Sequence, residues 1–328
     1  MTDVARLAGV SHMTVSRVLN GHPTVREQTR LRVEAAITQL GYRPNRAARA
    51  LVTGRSQMIG VIAQSTSLYG PASLLTEVEQ IAAHDGLAVS VSCVPHPDQH
   101  SISEAVDRLL AHRVAGIIVI APIEVADVAL HRFPTDVPIV TIDGDIQRSA
   151  AVVTIDQVTA AREATRHLLD AGHRTVWHIA GPPDRFGSAA RQKGWQEALV
   201  AAGAEVPPPL PAGWSAASGY ECGELLARMP EVTAIFTAND HVALGVLRAL
   251  QEHGRHVPKD VSVVGFDDVP EAAYFMPPLS TVRPHFDAVA RTSFELLVAQ
   301  LGSDDDGVLH RTVVPTLISR ASVAAPPR

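Results

Sequence analysis

The sequence predicts a small all-α head followed by a larger α/β core of two doubly wound parallel-sheet lobes. The 328 residues are enough for about two domains. The first part carries short apolar repeats at helical spacing between glycine and proline breaks, whereas the remainder alternates short apolar runs with longer amphipathic segments. Because this alternation occurs in two successive series, we expect two parallel sheets, each with helices on both faces.

The charge distribution separates the head from the rest of the chain. The net charge of the whole chain is −6. Residues 1–56 carry nine arginines against three acidic residues, Asp3, Glu27 and Glu34, so the remainder is strongly acidic. A basic segment on an acidic body indicates that the head meets a polyanion.

The head contains the pattern of three short helices. Thr2 is expected to cap the first helix, which Gly9 ends in a tight turn. Ser11 is expected to cap a second helix over residues 12–20, whose inward positions are Val15, Val18 and Leu19. Two short helices joined by a glycine turn and braced by a third make a helix-turn-helix.

The third helix has apolar positions at Val33, Ala36, Ile37 and Leu40. Thr24 and Glu27 have the spacing of a capping box at its start, and Gly41 is a suitable stop.

The second helix presents an outward surface suited to the major groove of double-stranded DNA. Arg17 has the fork of donors that grips a guanine, and Met13 can pack on a thymine methyl. Phosphate oxygens suit the hydroxyl groups of Ser11, Thr14 and Ser16 and the side-chain amide of Asn20. The predicted DNA-binding residues of this segment are Ser11, His12, Met13, Thr14, Ser16, Arg17 and Asn20.

The body repeats a strand–helix pattern. Predicted strands cover residues 58–64, 87–94, 116–122, 138–143, 175–181, 233–240 and 261–268, and predicted helices cover residues 72–84, 101–112, 188–202 and 241–253. Ligands in such folds bind outside the carboxyl ends of the strands. Because several strands end in polar residues, we expect these residues to converge on one cleft between two facing lobes.

The composition of this cleft points to sugar recognition. Asp143, Arg191, Asn239 and Asp267 offer planar groups for hydroxyls, and Trp214 and Phe286 offer aromatic faces for the C–H surface of a sugar ring. Four of these residues also have a plainer interpretation. Trp214 could be a lid packed on its own loop, and Arg191 could form a surface ion pair. Asn239 and Asp267 could be turn or helix caps. Asp267 and Asp268 are adjacent and should point apart, so a catalytic carboxylate pair is not expected.

Several function classes lack their motifs. The patterns GxGxxG, GxxxxGK[ST], HExxH and GxSxG are absent, and the two cysteines form no metal pair. We therefore expect no catalytic residue, no metal and no cofactor. The sequence has neither an apolar run of about 18 residues nor a signal peptide, so a cytoplasmic protein is expected.

Two segments of the head, DVARLAGVSHMTVSRVLNG and GYRPNRAARAL, resemble the DNA-binding head and hinge of the LacI/GalR family of bacterial transcription regulators. The resemblance implies that the hinge becomes helical on operator DNA. It also implies that Asn45 and Ala48 face the minor groove or the partner hinge, and that Leu51 inserts into a base step. An apolar wedge of this kind is suited to kinking DNA.

The body segments AGPPDRFGSAARQKGW, GWSAASGY, TANDHVALGVLRAL and VSVVGFDDVPEAAYFMPPLSTVRPHF resemble the periplasmic-binding-protein-like core of the same family. The resemblance implies the effector contacts Asp143, Arg191, Trp214, Asn239, Asp267 and Phe286, with Leu68 and Pro71 as an apolar wall. Gln64 and Pro284 depart from the family pattern near the sugar and leave the glycoside open.

The expected domains are a DNA-binding head over residues 1–43, a hinge over 44–56 and a core over 57–328. The core is expected to divide into one lobe over 57–155 plus 287–313 and another over 156–286 plus 314–328. Because no leucine heptads follow SRASVAAPPR, we expect a homodimer.

The expected function is a sugar-responsive repressor whose operator affinity falls when a galactoside-like inducer binds between the lobes. A corepressor mode, in which the ligand strengthens DNA binding, remains an alternative. A sugar-modifying enzyme and a transport binding protein are less well supported, because neither explains the basic head.

Overall fold

A computed structural model of the chain describes residues 1–19, 22–42, 57–64, 67–95, 98–120, 137–144, 151–302 and 309–327. The chain divides into two compact units, Met1–Gln57 and Met58–Arg328. Within the described stretches, no helix has the length and apolar character needed to cross a membrane.

The head is a three-helix unit, as the sequence predicts. Its helices are α1 (Thr2–Ala8), α2 (His12–Leu19) and α3 (Glu27–Gln39). The small core of this unit consists of Val4, Ala5, Ala8, Val15, Val33 and Ala36. Gly9 and Gly41 both have left-handed backbone conformations, with φ of 63° and 56°, which confirms them as the stops after α1 and α3.

Within the head, the helix starts follow the prediction only at α2. The Ser11 hydroxyl accepts the Thr14 amide at 3.2 Å, which confirms that cap. The Thr2 cap is wrong, because Thr2 is already the first helical residue and Met1 precedes it without a side-chain cap. The capping box at α3 is also wrong: Arg26 is the residue before the helix, and the Thr24 hydroxyl instead pairs with His22 Nδ1 at 2.9 Å.

The core unit is built on two six-stranded sheets. The strands of the first sheet are β1 (Met58–Ala63), β2 (Ala88–Cys93), β3 (Ile117–Ile120), β4 (Ile139–Ile142), β5 (Ala151–Ile155) and β11 (Leu309–Val313), in the order β11-β5-β4-β3-β1-β2. Those of the second are β6 (Trp177–Ala180), β7 (Leu210–Pro211), β8 (Ala234–Thr237), β9 (Ser262–Phe266), β10 (Ser280–Arg283) and β12 (Thr316–Ile318), in the order β12-β10-β9-β8-β6-β7. The described pairs are parallel except β10 with β12.

Helices cover both sheets. They are α4 (Tyr69–His84), α5 (Gln99–Ala111), α6 (Gln157–Asp170), α7 (Phe186–Ala201), α8 (Ala216–Ala227), α9 (Asp240–Glu252) and α10 (Phe286–Gly302), with a 3₁₀ turn at Pro270–Tyr274. Helix α4 begins three residues before its predicted start. Pro71 therefore lies in its first turn, where the missing amide hydrogen has no helical partner to lose.

The chain passes between the lobes at three places: between β5 and α6, between β10 and α10, and between β11 and β12. Helix α10 packs its Val289 and Phe294 on the core of the first sheet. Helix α6 packs its Ala160 and Leu168 on the core of the second. These crossings bring residues from both sheets to the edges of one cleft.

Glycines allow helices α8 and α9 to cross at close range. A methyl group on Gly245 would overlap the carbonyl oxygen of Ala216 and lie 2.5 Å from the Tyr220 amide nitrogen. Both obstacles are backbone atoms, so one of the helices must move to make room. The close approach therefore depends on the absence of a side chain at this position.

We expect Gly245→Ala to lower the free energy of unfolding of the core by about 3 kcal/mol, because the overlap cannot be relieved by side-chain rotation. Gly187→Ala is the matched control: it also lies in a helix, but the nearest atom to its new methyl group would be Gln157 Nε2 at 3.6 Å. Calorimetric unfolding of both variants checks the prediction. Equal melting temperatures would contradict the close-packing argument.

Candidate functional site

One cavity of about 130 Å³ lies in the cleft between the two sheets. The structure brings together all eight effector residues predicted from the sequence, and each lines this cavity: Leu68, Pro71, Asp143, Arg191, Trp214, Asn239, Asp267 and Phe286. Gln64 and Pro284 line it as well. Residues from both lobes therefore face the same cavity.

A chain of hydrogen bonds crosses the cavity from one lobe to the other. Asp143 follows β4, and its Oδ1 accepts the Ile155 amide at 2.7 Å. Its Oδ2 accepts from Gln157 Nε2 at 3.1 Å, while Gln157 Oε1 accepts from Arg191 Nε at 2.8 Å. Gln157 thus joins the acid of the first lobe to the arginine of the second.

The guanidinium of Arg191 is buried and held on several sides. Its Nη1 donates to the carbonyl oxygen of Ala238, and its Cζ lies 3.5 Å from the centre of the Phe266 ring. Burial lowers the pKa of Arg191, while the charges of Asp267 and Asp143 oppose that shift. The interpretation of this arginine as half of a surface ion pair is wrong, since only 8% of the residue is exposed.

The Asp267 carboxylate has spare hydrogen-bonding capacity. In the part of the chain that the structure describes, its one polar contact is Arg191 Nη2, at 3.8 Å from Oδ1. Burial raises the pKa of Asp267 to about 6, against the opposing effect of the arginine charge. The side chain is 11% exposed, and a largely buried acceptor without close partners favours a ligand hydroxyl that donates to it.

Asn239 serves both as a helix cap and as a cavity residue. Its Oδ1 accepts the Val242 amide at 2.8 Å at the start of α9, which confirms the capping interpretation. Its Nδ2 donates to the carbonyl oxygen of Trp214 at 3.2 Å and so holds the tryptophan loop against the cavity. The two interpretations of this residue are therefore compatible.

Trp214 lies flat against a glycine rather than only on its own loop. A methyl group on Gly181 would come 2.5 Å from the Trp214 ring, so the absence of a side chain there lets the indole lie against the end of β6. The ring centre is 5.8 Å from Arg191 Cζ. The indole therefore forms an aromatic wall beside the polar groups.

The backbone is left-handed at both acidic residues of the cavity. The φ angles are 56° at Asp143 and 104° at Asp267. Aspartate tolerates such angles poorly compared with glycine, and such strain tends to occur at functional sites. Both strand ends thus turn sharply where their carboxylates enter the cavity.

The opposite wall is apolar. Phe286, at the start of α10, meets Tyr69 edge to face with ring centres 6.0 Å apart. Leu68, Pro71 and Leu74 continue this wall along the start of α4. The cavity thus offers apolar and aromatic faces on two sides of a polar centre.

Several cavity residues were not found from the sequence. They are Tyr69, Gly70, Leu74, Ile155, Gln157, Arg185, Phe186, Gly187 and Ser188. Gln157 lies 14 and 34 residues from its two partners. One available signal was the run of polar and aromatic residues at 185–188, directly before a predicted helix.

Asp267 and Asp268 diverge, as predicted. Whereas Asp267 faces the cavity, Asp268 Oδ2 accepts from Arg283 Nε at 2.6 Å and its Oδ1 accepts from Arg320 Nη2 at 2.6 Å. The two carboxylates do not form a proton-sharing pair.

The predicted DNA-reading surface lies on and just before α2. His12, Met13 and Arg17 are exposed, and Met13 retains 65% of its accessible surface. Thr14 and Ser16 are half-buried. Asn20 lies outside the described residues, as do Asn45, Ala48 and Leu51 of the predicted hinge.

Two family models match this chain, one over the head and one within the core unit. A family model of bacterial regulatory proteins, lacI family, matches residues 1–45. A model of the periplasmic binding protein-like domain matches residues 165–323.

Known relatives match over nearly the whole chain. The lactose operon repressor of Escherichia coli (strain K12) is 34% identical over 327 residues, covering 99% of this chain and 90% of that protein. The HTH-type transcriptional repressor PurR of Haemophilus influenzae is 31% identical over 330 residues, covering 98% and 97%. A crystal structure of the lac repressor dimer bound to operator and the anti-inducer ONPF matches with a TM-score of 0.89 at 33% identity, covering 98% of each chain.

Proposed function

Because this chain belongs to the LacI family of bacterial regulatory proteins, we propose that it is a dimeric operator-binding repressor released from DNA by a sugar. The head supplies the DNA contacts through Ser11, His12, Met13, Thr14, Ser16, Arg17 and Asn20. The hinge over residues 44–56 adds Asn45, Ala48 and Leu51 in the minor groove. The solved lac repressor with operator is a dimer, which supports the same assembly here.

The observation that carries the sugar proposal is the Asp267 carboxylate, buried beside Arg191 yet without a close partner in the described structure. A hydroxyl pair on a pyranose ring can donate to this carboxylate and accept from the arginine. Trp214 offers its face to the C–H side of the same ring. We therefore assign a galactoside-like sugar as the effector. It is held by the eight effector residues that the sequence predicts and that line the cavity.

Sugar binding can change the arrangement of the two lobes because the effector-binding residues come from both of them. Asp143 and Phe286 come from the first lobe, while Asn239 and Asp267 come from the second. A sugar that contacts both sides binds the closed lobe arrangement more tightly than the open one, and this difference in affinity drives the change. In the proposed mechanism, closure changes the dimer arrangement and separates the two hinges, which lowers operator affinity.

A corepressor mode is the second candidate, and the similarity to the repressor PurR favours it. A flat base could also stack on Trp214. The two candidates predict opposite changes in operator affinity when the ligand binds. An inducer weakens operator binding, whereas a corepressor strengthens it.

Thermal unfolding with a ligand panel tests the effector class. A ligand that binds only the folded core, at 100 times its dissociation constant, stabilises it by about 2.7 kcal/mol. We expect the melting temperature to rise with at least one pyranoside and to stay unchanged with adenine, guanine or hypoxanthine. A shift with a purine and with no sugar would replace the sugar proposal by the corepressor candidate.

Sugar affinity should fall in mild acid. The ionised Asp267 is the form that accepts ligand hydroxyls, and its pKa of about 6 places its protonation near neutral pH. As pH falls from about 7.5 to about 5, the ionised fraction drops and the dissociation constant should rise about tenfold. Calorimetric titration across this range measures the change.

The control is Asp267→Asn, which should bind more weakly and lose this pH dependence. An unchanged profile in that variant would assign the titration to another group, of which Asp143 and Asp240 are the nearest with raised pKa values.

A further inference from the structure

The first crossing between the lobes lies at a single residue, Asp156. Strand β5 ends at Ile155 and helix α6 begins at Gln157, so Asp156 is the residue between the two elements. Its backbone angles, φ of −73° and ψ of 72°, are those of neither a helix nor a strand. Its amide donates to the carbonyl oxygen of Val313 at 3.0 Å, which ties this crossing to the end of β11. The orientation of the second lobe relative to the first therefore depends on the bonds made around Asp156.

The Asp143 carboxylate holds the chain on both sides of this crossing. Its Oδ1 accepts the Ile155 amide at 2.7 Å before the crossing, and its Oδ2 accepts from Gln157 Nε2 at 3.1 Å after it. Because Asp143 belongs to the first lobe and Gln157 to the second, a rotation at Asp156 moves the amide relative to the carboxylate. The bond between Asp143 and Gln157 is therefore a clamp between the lobes, and it is called the interlobe clamp below.

Gln157 also sets the orientation of the arginine that faces the cavity. Its Oε1 accepts from Arg191 Nε at 2.8 Å, while Arg191 Nη1 donates to the carbonyl oxygen of Ala238. The remaining nitrogen, Nη2, lies 3.8 Å from Asp267 Oδ1 at the polar centre of the cavity. Gln157 therefore determines which edge of the guanidinium a bound molecule can meet.

A neutral amide suits both of these bonds. It has an N–H donor for the carboxylate of Asp143 and a carbonyl acceptor for the guanidinium of Arg191, whereas an ionised carboxylate has no hydrogen to donate. Gln157 is 6% exposed, so water does not readily replace either bond. Replacing the amide by an apolar group leaves two buried charged groups short of one hydrogen bond each. The chemistry of Gln157 thus matches its two charged neighbours.

We propose that Gln157 is the positioning residue that couples the effector site to the arrangement of the lobes. It presents Arg191 to the bound molecule, and through the interlobe clamp it stabilises the arrangement in which the cavity is closed. A sugar that bonds to Asp143 or Arg191 acts on groups that Gln157 connects to the crossing at Asp156. This inference rests on the proposed function and adds to it the residue that transmits the binding event.

Quenching of tryptophan fluorescence by acrylamide tests the interlobe clamp in the full chain without a ligand. Trp214 lines the cavity, whereas Trp177 and Trp195 pack within the second lobe, so loosening of the lobes exposes Trp214 more than the other two. Gln157→Met keeps the length of the side chain and removes both bonds, and it should raise the quenching constant about twofold. Gln196→Met makes the same change at an exposed position of α7 and should leave the quenching constant unchanged.

Gln157→Glu separates the specific bond from the filling of space. Its carboxylate still accepts from Arg191, but its other oxygen meets Asp143, and two adjacent carboxylates form a hydrogen bond only when they share a proton. Relative to the wild type at each pH, the quenching constant of this variant should be raised about twofold at about pH 8 and should return to the wild-type value at about pH 5.5. The wild type is the reference because other ionisable side chains of the described cavity lining are present in both proteins: Tyr69, Arg185 and Asp267.

The operator response tests the coupling itself. Fluorescence anisotropy gives the ratio of the operator dissociation constants with and without saturating methyl β-galactopyranoside. Because Gln157→Met destabilises the closed arrangement, this ratio should be smaller than in the wild type by up to about tenfold. Gln196→Met should keep the wild-type ratio.

Three results would each overturn the assignment: wild-type quenching in Gln157→Met, no recovery of Gln157→Glu in mild acid, or an unchanged operator response in Gln157→Met. If Gln157→Met does not fold, Gln157→Glu decides through its recovery in mild acid. If methyl β-galactopyranoside does not release the wild type from the operator, the proposed galactoside effector fails. The quenching measurements need no sugar, so they still decide whether Gln157 holds the lobes.

Discussion

Replacing Trp214 with alanine is expected to weaken sugar binding by about 2–3 kcal/mol, or roughly 30- to 150-fold, because the variant loses an aromatic face and its buried area. Operator affinity in the absence of sugar should stay the same, since Trp214 belongs to the core unit and not to the head. The measurement is paired: calorimetry for the sugar and fluorescence anisotropy for the operator.

Trp214→Phe separates stacking from folding. Phenylalanine keeps an aromatic face, so this variant should recover most of the lost affinity. The loop itself should survive both substitutions, because the bond from Asn239 reaches the backbone carbonyl of Trp214 rather than its ring. Normal sugar binding by the alanine variant would remove Trp214 from the effector site.

The second large effect is expected at Arg17 on the exposed face of α2. A bidentate contact to guanine contributes about 1–3 kcal/mol of discrimination, and a dimer makes the contact twice. Arg17→Ala should therefore lower affinity for the specific site by about 2–6 kcal/mol, or roughly thirtyfold at least. The specific DNA site can be identified by selection from random duplexes. Sugar binding by Arg17→Ala should be unaffected.

Arg32→Ala is the control for charge alone. It removes the same charge from an exposed position of α3, a helix that packs against α1 and α2. Its effect should be similar on specific and non-specific DNA, whereas Arg17→Ala should act mainly on the specific site. Equal and sequence-independent losses in both variants would show that Arg17 contacts only phosphate.

The sequence predicts the architecture well where the local pattern decides the structure. Gly9 and Gly41 end their helices because left-handed backbone favours glycine, and Ser11 caps α2 with a short-range bond. The capping box at Thr24 fails because the helix begins only at Glu27, which leaves Thr24 two residues before the N-cap position at Arg26. The Thr24 hydroxyl pairs instead with the neighbouring His22 imidazole. The spacing of Thr24 and Glu27 alone does not show where the helix begins.

In the candidate site, too, the sequence predicts some residues and misses others. Asp143, Asn239 and Asp267 follow strands, so the rule that ligands bind at carboxyl ends of parallel strands places each at the carboxyl edge of its own sheet, facing the cleft. Gln157 was missed because its role comes from two partners distant in sequence, and nothing in its own surroundings marks it.

Strands β5, β7, β10, β11 and β12 and helices α6, α8 and α10 were also not predicted individually. Several of them are short or carry polar residues inside the apolar pattern, as Thr154 in β5 and Thr281 in β10 do. The partners of those hydroxyls are supplied by the fold: Asp240 accepts from Thr281, and Thr312 pairs with Thr154. Tertiary contacts thus stabilise strands whose own sequence signal is weak.

In the proposed switch, one sugar bound between the lobes controls the affinity of the head for DNA. Fluorescence anisotropy with the selected operator, titrated with and without a broad glycoside panel, measures whether it does. At least one neutral glycoside should lower operator affinity, and Trp214→Ala should abolish that response while keeping the basal affinity. Unchanged operator affinity with every glycoside, or tighter binding with any that binds, would contradict the proposed switch.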